Sequence, residues 1–232
     1  MYTKQHSFGQ SSFLKQLYLR CVCLDWWLHT HMLSVLKRMV DVCLTLPAVI
    51  VLAPLFAAVA LAIKINDGGP ALYWQTRVGQ NGKTFRFPKF RSMRVQADKL
   101  HSSMQQQNQH GADCVTFKLK RDPRITSVGR FIRRTSIDEL PQLWCVLNGE
   151  MSLVGPRPAL PSEVARYTTS DRQRLTVKPG LTCIWQVNGR SEVPFPQQVR
   201  MDIEYIRTRS IGRDLRLIGE TFPAVLKGRG AY

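Results

Sequence analysis

Residues 42–63 read VCLTLPAVIVLAPLFAAVALAI, an uncharged apolar run interrupted by Pro47 and Pro54. As one straight helix the run would extend about 33 Å, close to the thickness of a bilayer's hydrocarbon core. Core helices of water-soluble domains seldom run so far without a polar face, so the stretch reads as a membrane segment. A cleaved signal peptide is a poor alternative. A long stretch precedes the run, and Lys64 follows its Ala-rich end directly. Lys37 and Arg38 precede the segment; Lys64, Arg77, Lys83, Arg86, Lys89, Arg91 and Arg94 follow it. Positive charge on both flanks asks for both ends in the cytoplasm, which one crossing cannot satisfy. Pro54, near the middle, removes a helix hydrogen bond and bends the chain. The expectation is a Pro-broken, re-entrant helix that dips into one leaflet and returns. A single-pass anchor with a tolerated kink is the alternative.

The whole chain has 232 residues, 33 Lys+Arg against 16 Asp+Glu, a net charge of +17, and 44% hydrophobic residues. That allows one domain of ordinary size, or a domain with a membrane element, but hardly two full domains, and is too apolar for wholesale disorder. The charge calls for a polyanionic partner: nucleic acid, an anionic lipid surface or a phosphorylated substrate. No helix-turn-helix or RNA-recognition motif is present, so nucleic acid is not expected. Cysteines at 21, 23, 43, 114, 145 and 183 form no C-x-x-C pair, which speaks for reduced thiols and against a zinc or disulfide framework.

Three parts follow: a variable extension (1–36), the membrane helix (37–64) and a cytoplasmic domain (65–232). The extension carries Trp26 and Trp27, residues that favour the membrane interface. Asn66 to Pro70 is a turn signal, and 71–79 with 83–93 read as two strands around Gln80-Asn81-Gly82. Residues 95–114 read as a surface helix and loop. From Phe195 onward Val199, Ile203, Ile206, Leu215, Ile218 and Phe222 recur at helical spacing among Arg200, Arg207, Arg213 and Arg216. Basic amphipathic helices on anionic lipid have this pattern; helices packed on a core with solvated arginines have it equally. The fold class is mixed α/β, helix-rich.

Chemistry concentrates in 130–143, RFIRRTSIDELPQL, where Arg133 and its neighbours precede the adjacent acids Asp138 and Glu139. Neighbouring helical residues do not share a face, so one carboxylate is free to reach a phosphorus atom while the other holds or orients a metal. A carboxylate attacks phosphorus to give an acyl phosphate, and arginines clamp phosphate oxygens. The bland alternative is a capping box, Ser136-x-x-Glu139, although Pro141 sits awkwardly for it. Arg157 lies between Pro156 and Pro158, which presents it rigidly as an anion binder or merely fixes a turn. Lys89, Arg91, Lys178 and the stretch Asn188-Gly189-Arg190 place further basic or polar groups beside turns.

Together these stretches resemble the bacterial sugar transferase family, the monotopic polyprenyl-phosphate glycosyl-1-phosphate transferases. The resemblance runs from about Lys37 to Tyr232 and rests on FPKFRSM (87–93), DPRIT (122–126), SIDELPQL (136–143), GEMSLVGPRP (149–158), KPGLTCIWQVNGR (178–190) and the final RGAY. Within the family the chain is similar to stand-alone enzymes that start exopolysaccharide repeats with galactose or glucose phosphate. The resemblance implies that Asp138 attacks a UDP-hexose, releases UMP and carries the sugar phosphate until undecaprenyl phosphate takes it. Glu139 would be the second acid, with Mg2+ at Asp138 and Glu139. Arg133, Arg157, Lys89, Arg91, Asn188 and Arg190 would bind phosphate or substrate. The implied location is the cytoplasmic face of a bacterial inner membrane, on anionic lipids, with downstream glycosyltransferases as further partners. Ala53, where some relatives have Ser before the proline, and Cys183, where Gly is common, depart from the family pattern. The sugar itself is not legible. The rival class is a non-catalytic basic membrane protein that binds lipid or polyanion, or a scaffold.

Overall fold

The computed structural model describes residues 7–95, 97 and 122–227. The chain divides into two units, Met1–Val40 and Asp41–Tyr232. Helix α1 (Ser7–Asp67) continues through Pro47 and Pro54 without ending at either. Its segment Met32–Asp67 is long and apolar enough to cross a bilayer. The helix stops where the sequence signals a turn. Gly68 takes φ +68 and donates its N–H to Lys64 O at 3.0 Å, a left-handed cap that a β-carbon would disfavour.

Beyond Asp41 the apolar helix is attached to the globular unit along one stripe. Thr45, Val49, Leu52, Phe56, Val59 and Ile63 recur every three or four residues and are buried or half-buried. Val49, Leu52 and Phe56 pack on the main core, while Val59 and Ile63 form a second cluster with Phe90 and Ile132. The rings of Phe56 and Phe90 meet edge-on at 5.8 Å. Asp41 fixes the start of the stripe: its Oδ1 accepts from Ser152 Oγ and Leu153 N, both at 3.1 Å. Leu46, Ile50, Val51 and Leu61 face outward.

The expected strands are present. β1 (Leu72–Val78) and β2 (Thr84–Phe90) pair antiparallel around a 3-10 turn at Gln80–Gly82, in which Asn81 takes φ 54. After α2 (Ser127–Arg134) comes a 3-10 helix (Ile137–Gln142), then α3 (Leu143–Leu147) and β3 (Ser152–Val154). Following α4 (Pro161–Val164) and a 3-10 turn (Asp171–Leu175), β4 (Gly180–Thr182) pairs parallel with β3. Helices α5 (Ile184–Asn188), α6 (Phe195–Thr208) and α7 (Ile211–Lys227) complete the unit. The mixed, helix-rich class is as expected. The surface helix read at 95–114 falls, from 98 on, outside the described residues.

The apolar side of α6 turns inward: Phe195 and Val199 pack against Ala159 and Tyr167, and Tyr205 joins the main core. Asp202 of α6 pairs with Arg174, whose Nη1 also donates to Tyr167 Oη at 3.1 Å. The Tyr205 hydroxyl lies 2.8 Å from Asp214 Oδ1 of α7 and 3.1 Å from Val154 O. On α7, Leu217 is buried whereas Leu215 and Phe222 are exposed. Cys43, Cys145 and Cys183 are free thiols.

Gly180 lets β4 approach the turn after β3. A β-carbon there would collide with Gly155 N and lie 2.6 Å from Gly155 Cα. Gly180→Ala is therefore expected to lower unfolding stability by about 1–3 kcal/mol, the usual cost of overpacking. Gly219 sits within α7 with nothing near its missing side chain, so Gly219→Ala should stabilise by about 0.5–1 kcal/mol. Denaturant titration of the two variants checks the contrast; equal effects would remove the role given to the Gly155–Gly180 contact.

Candidate active site

The site is assembled on the 3-10 helix at Ile137–Gln142. Ser136 enters it with φ 56, a left-handed conformation costly for a side-chain-bearing residue and characteristic of over-determined functional backbone. Its hydroxyl makes no capping bond. The capping-box reading thus falls away: Glu139 donates its backbone N–H to Ser136 O, but its carboxylate goes elsewhere.

Glu139 Oε1 accepts from Lys89 Nζ at 2.8 Å and from Arg157 Nη2 at 2.6 Å; Oε2 accepts from Arg157 Nη1 at 3.2 Å. Lys89 comes from β2, which packs directly on the 3-10 helix. Arg157 comes from the Pro156–Pro158 turn after β3, so the rigid arginine of the sequence is an anion binder whose anion is Glu139. Burial alone would raise the Glu139 carboxyl, but Arg157 and Lys89 together hold it well below the usual range. Burial lowers Lys89, with Glu139 opposing.

Asp138, 8% exposed, has the contrary environment. No protein hydrogen bond reaches its carboxylate among the described residues. Burial pushes its pKa up to about 6; Lys89, Arg133 and Arg157 pull it down while the Glu139 charge adds to the rise. Two adjacent carboxylates are thereby separated: one held firmly as an anion, the other raised towards neutrality.

Of the other expected residues, Arg133 in the last turn of α2 acts on Asp138 through its charge. Arg190, with φ 51, has a pKa lowered by burial and is within the field of Glu139, Arg157 and Asp138. Asn188 is not turned to the pair: its Nδ2 donates to Ile184 O at 3.0 Å within its own helix. Arg91 lies against Gly69, its Nη1 buried without a partner. No interaction among the described residues links it to the carboxylates.

Arg77, read from sequence only as a flanking charge, belongs here. Its Nη1 donates to Pro158 O at 3.0 Å, Gln75 Oε1 holds Nε and Nη2 at 3.0 and 2.7 Å, and the guanidinium stacks 5.2 Å from the Phe87 ring centre. Burial and then the Arg157 charge lower it to about 10. The period-2 alternation of β1, which puts Gln75 and Arg77 on one face, was the available signal.

Lys89, Arg133, Arg157, Arg190 and Arg77 outnumber the two acids, so the cluster carries net positive charge, which suits anionic oxygens. No group of three or more Asp, Glu, His or Cys fit to hold a metal occurs among the described residues. Mg2+ does not need one, since it is commonly held by one or two carboxylates with substrate phosphates. Asp138 suits that mode; Glu139 already spends both oxygens on Lys89 and Arg157.

The chain was compared with known proteins. The family model described as bacterial sugar transferase matches residues 32–228. The chain is 40% identical over 198 residues to the exopolysaccharide production protein ExoY of Sinorhizobium fredii, covering 84% of this chain and 88% of that one. It is 42% identical over 210 residues to the galactosyl transferase CpsE of Streptococcus agalactiae, covering 90% of this chain but 45% of the relative. The undecaprenyl-phosphate galactose phosphotransferase of Salmonella typhimurium is 42% identical over 200 residues, 85% of this chain and 42% of its own. The chain thus spans less than half of the latter two relatives and most of the first. Carrying the family's features across nearly its whole described length, it belongs to the bacterial sugar transferase family.

Proposed function

We propose that the chain transfers a hexose 1-phosphate, galactose or glucose, from a UDP-sugar to undecaprenyl phosphate in the first membrane step of exopolysaccharide synthesis. The carrying observation is Asp138: a buried carboxylate without a hydrogen-bond partner among the described residues, in the field of Lys89, Arg133 and Arg157. Its oxygen attacks the β-phosphorus of the donor, the bond from that phosphorus to the bridging oxygen breaks, and UMP departs. A phosphate oxygen of undecaprenyl phosphate then attacks the same phosphorus and displaces Asp138, giving the lipid diphosphate sugar. Arg133 and Arg190 steady the phosphate oxygens, and Glu139 keeps Lys89 and Arg157 in place around them. Mg2+ at Asp138 and the donor's diphosphate would neutralise charge and ease the departure of UMP.

The membrane reading also belongs to this proposal. Because α1 is attached to a charged domain from Asp41 to Ile63, a perpendicular crossing would drag that domain into the bilayer. A helix dipping into the cytoplasmic leaflet of the inner membrane avoids this, with exposed Leu215 and Phe222 of α7 resting on anionic lipid. Reagents restricted to the periplasm should therefore reach neither a single cysteine placed before Lys37 nor one placed after Lys64. Periplasmic labelling of the first position alone would mean a true crossing.

Asp138→Asn should abolish covalent labelling of the protein by UDP-galactose or UDP-glucose carrying 32P at the β-phosphate and lower UMP release by roughly three orders of magnitude. Turnover at the original rate in that variant rejects the nucleophile.

The reaction needs Asp138 deprotonated, so UMP release should fall as pH drops through about 6. Glu139→Gln removes a charge that raises Asp138 and frees two cations that lower it. The remaining activity of that variant should hold to lower pH. An acid limb unmoved by Glu139→Gln would contradict the coupling.

A further inference from the structure

Strand alternation puts neighbouring residues of the β1–β2 hairpin on opposite faces. Lys89 turns toward Glu139, while Pro88 and Phe90 turn the other way beside their cross-strand partners Trp74 and Leu72. The 3-10 helix makes the same division within one residue step: Glu139 is held by the cations, whereas Leu140 and Pro141 line an apolar groove. Phe56 and Ala60 of α1 form its far wall, and Trp144 joins from α3. The groove measures about 510 Å³ and no charged side chain lines it. Trp74 and Trp144 are 44% and 58% exposed, and the Arg86 guanidinium stacks 4.9 Å from the Trp74 ring centre.

We propose that this groove holds the first isoprenoid units of the polyprenyl phosphate acceptor, its phosphate turned across the Glu139–Leu140 step toward Asp138. The proposal rests on the acceptor reading above and extends it from the phosphate to the hydrocarbon. A phosphate that reaches Asp138 brings its chain with it, and that chain must leave the cationic cluster on an apolar side. The groove lies one residue from the carboxylate pair on the 3-10 helix and one residue from Lys89 on β2. Both rim tryptophans have the amphipathic character favoured at headgroup depth. Within a bilayer the groove supplies little hydrophobic affinity, because lipid tails are equally apolar. Its contribution is positional: it fixes the direction from which the phosphate arrives. Ala60 and Ala71, both small, leave space for a methyl-branched chain.

Ala60→Phe and Ala71→Phe each put a ring into the groove without touching the ion-paired site. The full chain in lipid nanodiscs is read in two ways. Without donor, undecaprenyl phosphate bearing a diazirine on the isoprenoid unit next to its phosphate should photolabel peptides covering 71–74 and 140–144, and either substitution should weaken that labelling. With UDP-galactose or UDP-glucose, formation of the covalent intermediate should stay within about twofold of the original, while its transfer to undecaprenyl phosphate slows roughly tenfold or more. Photolabelling confined to α6, α7 or the outward face of α1 overturns the proposal. So does equal labelling of the same peptides by a diazirine phosphatidylglycerol, or transfer at the original rate in both variants. If the unsubstituted chain forms no covalent intermediate, the functional reading fails instead, and the donor-free photolabelling still decides whether the isoprenoid occupies the groove.

Discussion

The carboxylate of Glu139, gripped by Lys89 and Arg157, is the constraint on which the site depends. It joins three segments distant in sequence: β2, the 3-10 helix and the turn between two prolines. The three side chains are half-buried, and withdrawing Glu139 would leave two cations facing one another without the carboxylate between them. A hydrophobic trio of similar volume would hold the segments as well, so the grip is better understood through what it does to Asp138. Lys89 and Arg157 are spent on Glu139, which keeps them from fully ionising Asp138, and the Glu139 charge pushes in the same direction. The neighbour carboxylate therefore stays a basic, reactive oxygen within a cationic surround. A lone acid in that surround would be a weaker base and a poorer nucleophile.

The same residues solve a problem of solubility. The proposed donor and acceptor differ in phase, and period-2 alternation lets the hairpin turn Lys89 to the ion-paired cluster and Pro88 to the apolar groove within one residue. Phe87, buried in the main core, lies under Arg77 and beside Lys89 on the face that meets Glu139. Pro88, buried, carries no N–H that would need a partner on the apolar side.

Much of this was legible in the sequence where the cause is local. The turn at Asn66–Pro70, the hairpin around Gln80–Gly82 and the adjacent acids follow from glycine placement, alternation and spacing, and each appears as expected. What escaped depends on contacts between distant segments. Ser136-x-x-Glu139 satisfies a local capping pattern, yet Glu139 binds charges from 50 residues before and 18 after. Asn188 sits in one of the stretches that resemble the family, but its amide is used by its own helix. Arg77 was one cation among many until the strand register placed it under Pro158. The apolar face of α6, ambiguous between lipid and core in sequence, is taken by the core.

Asp41 shows how the membrane element and the chemistry are coupled. Apolar packing alone would hold α1 to the domain weakly in a bilayer, because lipid competes for the same surfaces on equal terms. A carboxylate that accepts from Ser152 Oγ and Leu153 N has no such competitor, since lipid tails offer no donors. Its bonds fall on β3, and β3 leads within a few residues into the Pro156–Pro158 turn that carries Arg157. The bond that seats the helix therefore also seats one of the two cations gripping Glu139. The seat of α1 and the surroundings of Asp138 thus meet in one short stretch of backbone.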